Sequence, residues 1–584
     1  MKAPLFGKNP RGVATLEILL AFAILMLSMT AVILVVFGNQ SISIDTQANV
    51  EAVSKAKNLL EVARALSRQD FSQVASIATT TDGIYQKSLD VSMLDSNTKQ
   101  VTGTVAWVSG GRNLAIRFTT ILVNPVAASA CSAMLSGDWT APEMVSYEFG
   151  KDILGDSSSG YPITSVLASG SKLFVTVNNT HGNNKETLFA LDISDPTAKP
   201  AVLFKVDNAN GVAEGLNAVA VNSHYAYVAN AYTGSSASCT QGANCAQLQI
   251  FDTDNITAAP KNLKIPVTVA GNQLAYAQSI AYNNGYVYLG LAKASGSGSE
   301  FQIIDVGGGS GSPTNPILKG NYPVGNGVNA IYIKDNYAYI TSPNAENLTV
   351  LDISNPAAPI RVGGYTPPSG SNGESVFVKD GVIYLGRTFG TNEFYMLNSP
   401  SGSLSKFKDI GSGNGTSING ILVREALAFL ITNSQFQIWD TTGSITQYAT
   451  PLSLPGGSGT AIGCKGNYIY VGSLPSNDKG QISVIGPKSA YTLTNSGDVT
   501  VPKGSSGSTN ITKTFVSGFP TASTLSASGL PAGSSATFTN GSCTPTCTAS
   551  VSLSTSNSST PKGTYTITIT GTGGVTTTFK LIVT

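Results

Sequence analysis

Few residues in this chain could do chemistry, and their spacing narrows what they could do. Five acids recur at one place in a repeated motif: Asp192, Asp252, Asp305, Asp352 and Asp440. A ring of metal ligands is one reading of such a series. An Asp that ends a strand just before a turn also caps backbone N–H groups with its side chain, and that role is the one expected here. Asp252, Asp254 and Asn255 in FDTDN are the best local set for a hard cation such as calcium, but the full loop of oxygen ligands is missing. No metal site is expected. The two histidines, His181 in NNTHGNNKE and His224 in a strand turn, adjoin no ordered acid–nucleophile motif and read as surface-loop residues. Gly307 to Gly309, and Gly456, Gly457 and Gly459, are not followed by GK[ST] and form no phosphate loop. No catalytic residue and no cofactor are expected.

Six cysteines remain, consistent with three disulfides on an exported chain. Cys239 and Cys245 share one long loop, and Cys543 and Cys547 lie in CTPTC, so both are local pairs. Cys131 and Cys464 are left, and their pairing would tie the segment before the repeats to the last repeat. The absence of paired CxxC motifs argues against zinc.

Charged residues are only 11% of the 584, and Lys+Arg 34 against Asp+Glu 33 leave a net charge of +1. A nucleic-acid binder needs a basic footprint, so no nucleic-acid partner is expected. A content of 41% hydrophobic residues with 61 Gly fits packed, turn-rich β structure rather than a disordered chain.

The elements that would position these residues begin with an apolar run. Ile18 to Phe37 carries no charge, follows Lys2, Lys8 and Arg11, and would be roughly 30 Å long as a helix, enough to cross a bilayer. That is longer than the core of a secretory signal peptide. Helical spacing continues through Val53, Ala56, Leu60 and Ala63, widened by Leu59, Val62 and Leu66, so one helix is expected over 13–68 with Gly38 as a soft point. Strands follow at Ile84 to Met93, Gln100 to Val108 and Leu114 to Val123, with Gly110 and Gly111 as a hairpin turn.

The stretch RGVATLE-ILLAFAILML resembles the class III signal of type IV pilins and type II secretion pseudopilins. The resemblance implies a leader over 1–12 and cleavage between Gly12 and Val13 by a prepilin peptidase. It also implies methylation of the new N-terminus. Glu17 would then be the fifth mature residue, pairing in filament assembly with the α-amine of a neighbouring pilin subunit. Val13 departs from the commoner Phe or Met. Residues 13–130 would be a pilin-like domain, held in the inner membrane before assembly and then displayed on an extracellular filament or the cell surface.

Residues 140–488 repeat every 49 residues or so, a blade-like period. Seven units align at Ser165, Ala218, Ser279, Ala330, Ser375, Asn419 and Ala461. Each has an alternating strand, a second strand of the YAYV type and a third ending near Asp. LDISDP and LDISNPAAP resemble LVIVD-type repeats of extracellular bacterial β-propellers. The last unit lacks an outer strand, which Met144 to Gly150 could supply to close the ring. Residues 490–584 are Thr/Ser-rich, read as a sandwich of about seven strands, and resemble bacterial Ig-like surface domains. The expected fold is therefore multi-domain and mainly β: a long pilin helix with a small antiparallel sheet, a seven-bladed propeller and an Ig-like sandwich.

The resulting expectation is a minor or tip pilin whose head adheres to an unknown surface or host ligand. Candidate contact loops are His181–Lys185, Ser235–Gln247 and Ser295–Glu300. The alternatives are a type II secretion pseudopilin with a substrate-recruiting head, and a propeller-based glycan-active enzyme. The enzyme would need two carboxylates facing each other at the axis.

Overall fold

The computed structural model describes residues 11–69, 74–95, 98–123, 135–157, 160–178, 186–207, 215–296, 298–344, 346–367, 371–388, 392–398, 404–411, 416–475 and 477–584. The chain divides into two compact units, Met1–Asn124 and Pro125–Thr584. Propeller and terminal sandwich both lie in the second of these.

In the first unit a helix, α1, runs over Arg11–Gln69. Ala48, Ala52, Ala56, Leu60 and Ala63 form its buried stripe against Tyr85, Leu89, Val101, Val105, Trp107 and Leu122. The small side chains let helix and sheet approach closely: a Cβ on Gly103 would sit 3.3 Å from the Ala56 carbonyl oxygen. Val62, expected in the stripe, is exposed. The sheet is a four-stranded antiparallel meander of Ile77–Asp82, Tyr85–Asp95, Thr98–Ser109 and Arg112–Val123. Its first strand, IATTTD, lacks the apolar alternation that marks the others. It is an edge strand pinned by charge: Asp82 accepts hydrogen bonds from Lys55 and Lys87, each at 2.8 Å. The Lys55 bond, with that of Lys87, draws the Asp82 carboxyl down to about 2.

The expected fold class is corrected at this end. The chain is nearly all β, and a long N-terminal pilin helix is not established. Among the described residues no helix is long and apolar enough to cross a membrane. The second half of α1 is amphipathic. There Glu51, Lys57 and Glu61 are exposed and an alanine stripe faces the sheet, the pattern of an amphipathic helix clamped on a globular layer.

The second unit is built from repeated antiparallel sheets. Seven of them, among the described residues, follow one another with the strand order of propeller blades. Blade 1 starts at Ile163, blade 2 at Leu216, blade 3 at Ala277, blade 4 at Ala330, blade 5 at Gly373, blade 6 at Ile418 and blade 7 at Gly457. The third strands LFALD, LQIFD and LTVLD each bury their first four residues, because both of their faces are covered by neighbouring blades. The outer strand of blade 7 is Glu143–Glu148, paired antiparallel with Gln481–Gly486. The ring thus closes with a strand taken from before blade 1, as the sequence led us to expect, and leaves no open edge there.

After the propeller, four- and five-stranded sheets pack face to face around Leu493, Ile511, Val551, Leu553, Ile567 and Phe579. The strand number exceeds the expected seven because Val499–Val501 and Ser542–Cys543 are too short to show a pattern. This sandwich is seated on the propeller. Tyr468 of blade 7 packs edge-on against Phe519 at 5.6 Å and donates its hydroxyl to the Gly518 carbonyl.

The tight α1–sheet contact predicts that Ala56→Leu overpacks the first unit and costs about 1–3 kcal/mol. Urea unfolding should show a lowered midpoint for the transition of that unit and no change for the other.

Candidate ligand site in the propeller channel

The innermost strand of each blade opens with a polar residue beside the axis. In six blades the ladder between first and second strands skips one residue at this point: Thr164, Asn217, Gln278, Glu374, Asn419 and Thr460. Each is a β-bulge, a device that re-aims a side chain. In blade 4, Asn329 stands in the same place, just before the ladder begins at Ala330. These residues line one cavity of about 610 Å³. In blade 6 the bulge residue is Asn419 itself, so the sequence alignment of the units, which set Asn419 level with Ser375, was one residue out of register there.

Most of these side chains hold the ring together. Thr164 Oγ1 donates to the Leu216 carbonyl of the next blade at 2.6 Å, and Asn217 Nδ2 to that of Ala277 at 2.7 Å. Asn329 Nδ2 donates to the Gly373 carbonyl and Asn419 Nδ2 to that of Gly459, both at 2.8 Å. Blades 3 and 5 do it differently. There the following serine makes the inter-blade bond: Ser279 Oγ to the Val328 carbonyl at 2.8 Å, and Ser375 Oγ to that of Ile418 at 2.7 Å. Room for each serine comes from a glycine opposite it. A Cβ on Gly290 or on Gly386 would meet the serine oxygen at 2.2 Å.

Gln278 and Glu374 are consequently released from the ring of tethers. Gln278 Oε1 is buried and has no hydrogen-bond partner. Glu374 Oε2 accepts one long bond, 3.3 Å, from Asn329 Nδ2. Burial pushes the Glu374 carboxyl above its ordinary value. It is the one ionisable side chain among the described residues lining the cavity, so the facing pair of carboxylates required by a glycan hydrolase is not found among them.

The bulges lie where first strands begin and second strands end, so the channel mouth opens on the face that carries the loops between second and third strands. The candidate contact loops Ser235–Gln247 and Ser295–Glu300 belong to that face. His181–Lys185 lies outside the described residues. The loop of Ser235–Gln247 is braced by the Cys239–Cys245 disulfide and by Asn230 Nδ2, which donates to the carbonyls of Asn244 and Ala246. Gln247 brackets the backbone of Ile265 with two 2.9 Å bonds. Within Ser295–Glu300, the buried Glu300 carboxylate accepts backbone N–H groups of Ala294, Val324 and Gly325.

The recurring acids lie at the opposite end of the blades, and each caps its own turn. Asp192, Asp252, Asp352 and Asp440 accept the N–H two residues ahead at 2.8–2.9 Å. Asp305 accepts four, from Gly307, Gly308, Gly309 and Gly311, each at 3.0 Å. Burial works against its charged form, but the four donors prevail and hold the carboxyl below its ordinary value. Asp254 pairs with His224 at 2.5 Å, and Asn255 accepts from Thr257. Among the described residues no three acids, histidines or cysteines gather as a metal site. Cys464 and Cys547 are disulfide-bonded. Cys131 and the side chain of Cys543 lie outside the described residues, as do the side chains of Gly12, Val13 and Glu17, whose backbone is helical.

The ladders and ring closure define a β-propeller protein. Residues 275–324 and 327–366 match the LVIVD repeat family, so blades 3 and 4 carry LVIVD repeats. No curated protein matches the chain. Among solved structures it is similar to the WD40 β-propeller domain of Doa1, at 14% identity over 57% of this chain and 95% of that one, TM-score 0.39. It is also similar to a functionally unknown protein from Desulfotomaculum acetoxidans, at 13% identity over 50% and 90%, TM-score 0.32. A hypothetical selenium-binding protein from Sulfolobus tokodaii is similar at 13% identity over 41% and 76%, TM-score 0.23.

Two predictions follow from these carboxylates. Glu374 has a raised folded-state pKa, so its proton contributes stability at acid pH that is lost as pH rises through that pKa. Glu374→Gln should therefore raise the melting temperature at neutral pH, with the gain shrinking in acid. Asp305 has a depressed value, so its stabilisation is present above the unfolded carboxylate range and fades as pH falls through the folded pKa. Asp305→Asn should cost about 1–3 kcal/mol at neutral pH, and chemical denaturation should show the two proteins converging in acid.

Proposed function

We propose that the chain is an exported binding protein, a minor or tip subunit of a type IV pilus-associated system, whose propeller and sandwich form a head for surface adhesion or ligand binding. The observation that carries this reading is the channel face. A closed ring presents there an open polar cavity rimmed by loops braced with a disulfide and buried polar side chains, a rigid display surface on a chain of low charge. Disulfide-bonded cysteines favour an oxidising compartment.

The filament part of the reading rests on the Gly12, Val13 and Glu17 motif, with prepilin peptidase as processing partner and other pilin subunits as assembly partners. Leu20, Phe22, Ile24, Met26 and Leu27 lend support. Each is more than half exposed, an apolar surface that calls for a covering partner. In this reading the protein passes from the inner membrane to an extracellular filament, and the head meets an unknown surface or host ligand.

Deleting residues 140–584 should leave processing at Gly12–Val13 intact and abolish surface attachment. Cell-binding assays, with processing followed by N-terminal sequencing, check both halves. Attachment that survives the deletion overturns the proposal.

A further inference from the structure

The channel wall contains one carboxylate that the inter-blade tethers do not use. Blades 1, 2 and 6 spend their bulge residue, and blade 4 its Asn329, on the tether to the next blade. Blades 3 and 5 transfer the tether to Ser279 and Ser375 and place Gly290 and Gly386 opposite to admit them. Two substitutions per blade are thus committed to freeing one side chain. What is freed in blade 3 is Gln278, whose Oε1 is sealed from the channel against Gly327, and in blade 5 the Glu374 carboxylate, which lines the channel with a single long bond from Asn329. A carboxylate drawn out of water without a counter-charge is costly. Such a group persists where a ligand completes it.

We propose that the propeller channel binds a primary ammonium group, with Glu374 as its counter-charge. This rests on the reading of the propeller as a binding head. The charge count selects the ligand. One carboxylate cannot assemble the six to eight oxygens, several of them anionic, that calcium takes. Asn329 engages Glu374 Oε2 and leaves Oε1 open, which suits a compact ammonium better than the planar fork of a guanidinium. A neutral sugar would leave the carboxylate uncompensated. The cavity, about 610 Å³, has room for a small amine or for one extended lysyl side chain from a partner protein.

Calorimetric titration of the full chain tests this with three probes: 1,5-diaminopentane, its neutral counterpart 1-pentanol, and Nα-acetyl-lysine methylamide. An ammonium probe should bind, with pentanol roughly tenfold weaker or worse. Glu374→Gln should lose tenfold or more in affinity while keeping or raising its melting temperature, which separates lost binding from lost fold. Binding of diaminopentane alone identifies free amines as the source, and binding of the lysyl probe identifies a partner's side chain. Absence of binding by both ammonium probes, or equal affinity in Glu374→Gln and the parent, overturns the inference. If attachment still depends on the head in that case, the binding-head reading stands without it.

Discussion

The ladder between Glu143–Glu148 and Gln481–Gly486 joins segments more than 330 residues apart, and the rest of the large unit depends on it. Without it, blade 7 would end in an open strand edge and blade 1 would have nothing fixed to pack on. Closing so long a loop is entropically dear only as the logarithm of its length, so six ladder positions and the packing of blade 7 on blade 1 can offset it. The segment leading into the closing strand is held as well. Trp139 packs on Phe429 at 5.3 Å, and Asn467 exchanges two hydrogen bonds with the backbone of Ser136. The same strand also seats the sandwich: Glu143 accepts both the N–H and the hydroxyl of Ser489, and the hydroxyl oxygen in turn accepts the N–H of Phe519. Closure and docking therefore share a residue, which explains why propeller and sandwich form one compact unit.

Closure also makes the channel possible. Once the innermost strands are arranged around an axis, their first residues converge, and any charge there is shared by the whole ring. The bulges turn that crowding into a chain of side-chain tethers from blade to blade. Blade 7 departs from this scheme, since Thr460 bonds the Gly472 carbonyl of its own blade. Beside the axis its contact with blade 1 is instead apolar and close: a Cβ on Gly472 would meet Ile163 at 2.8 Å and Val166 at 3.0 Å. Beside the axis the ring is thus joined by polar tethers at six junctions and by packing at the seventh, where the polar link lies at the far end of the blades, from Lys465 to the Ile193 carbonyl.

The repeats were legible because their third strands are buried on both faces, which forces runs such as LFALD and LTVLD into the sequence at a fixed period. The turn-capping Asp residues were legible for the same reason, as each ends such a run. The channel site was not. A bulge is one inserted residue, and an alignment of units absorbs it silently; Gln278 and Glu374 then look like ordinary strand residues. The signal was present in pairs: Ser279 with Gly290 and Ser375 with Gly386, a small polar residue facing a glycine in these two blades. In the first unit, the alternation of helical apolar positions located α1 but overestimated its width. Alanine rather than leucine or valine decides where a helix lies flat on a sheet, and hydropathy gives alanine little weight.

The scarcity of charge has its main consequence at the axis. With a net charge of +1 spread over 584 residues, few fields compete with that of a single buried carboxylate. At an effective dielectric near 20, two unit charges 4 Å apart interact by about 4 kcal/mol, against ~1 kcal/mol in water. Glu374 therefore acts over the channel mouth almost alone, and walls of amides and hydroxyls neither neutralise nor reinforce it. A second carboxylate in the ring would have raised the cost of ionising both and favoured a shared proton. A resident lysine or arginine would have cancelled the field. One acid among uncharged polar residues leaves a site whose preference is set by sign and by hydrogen-bond donors.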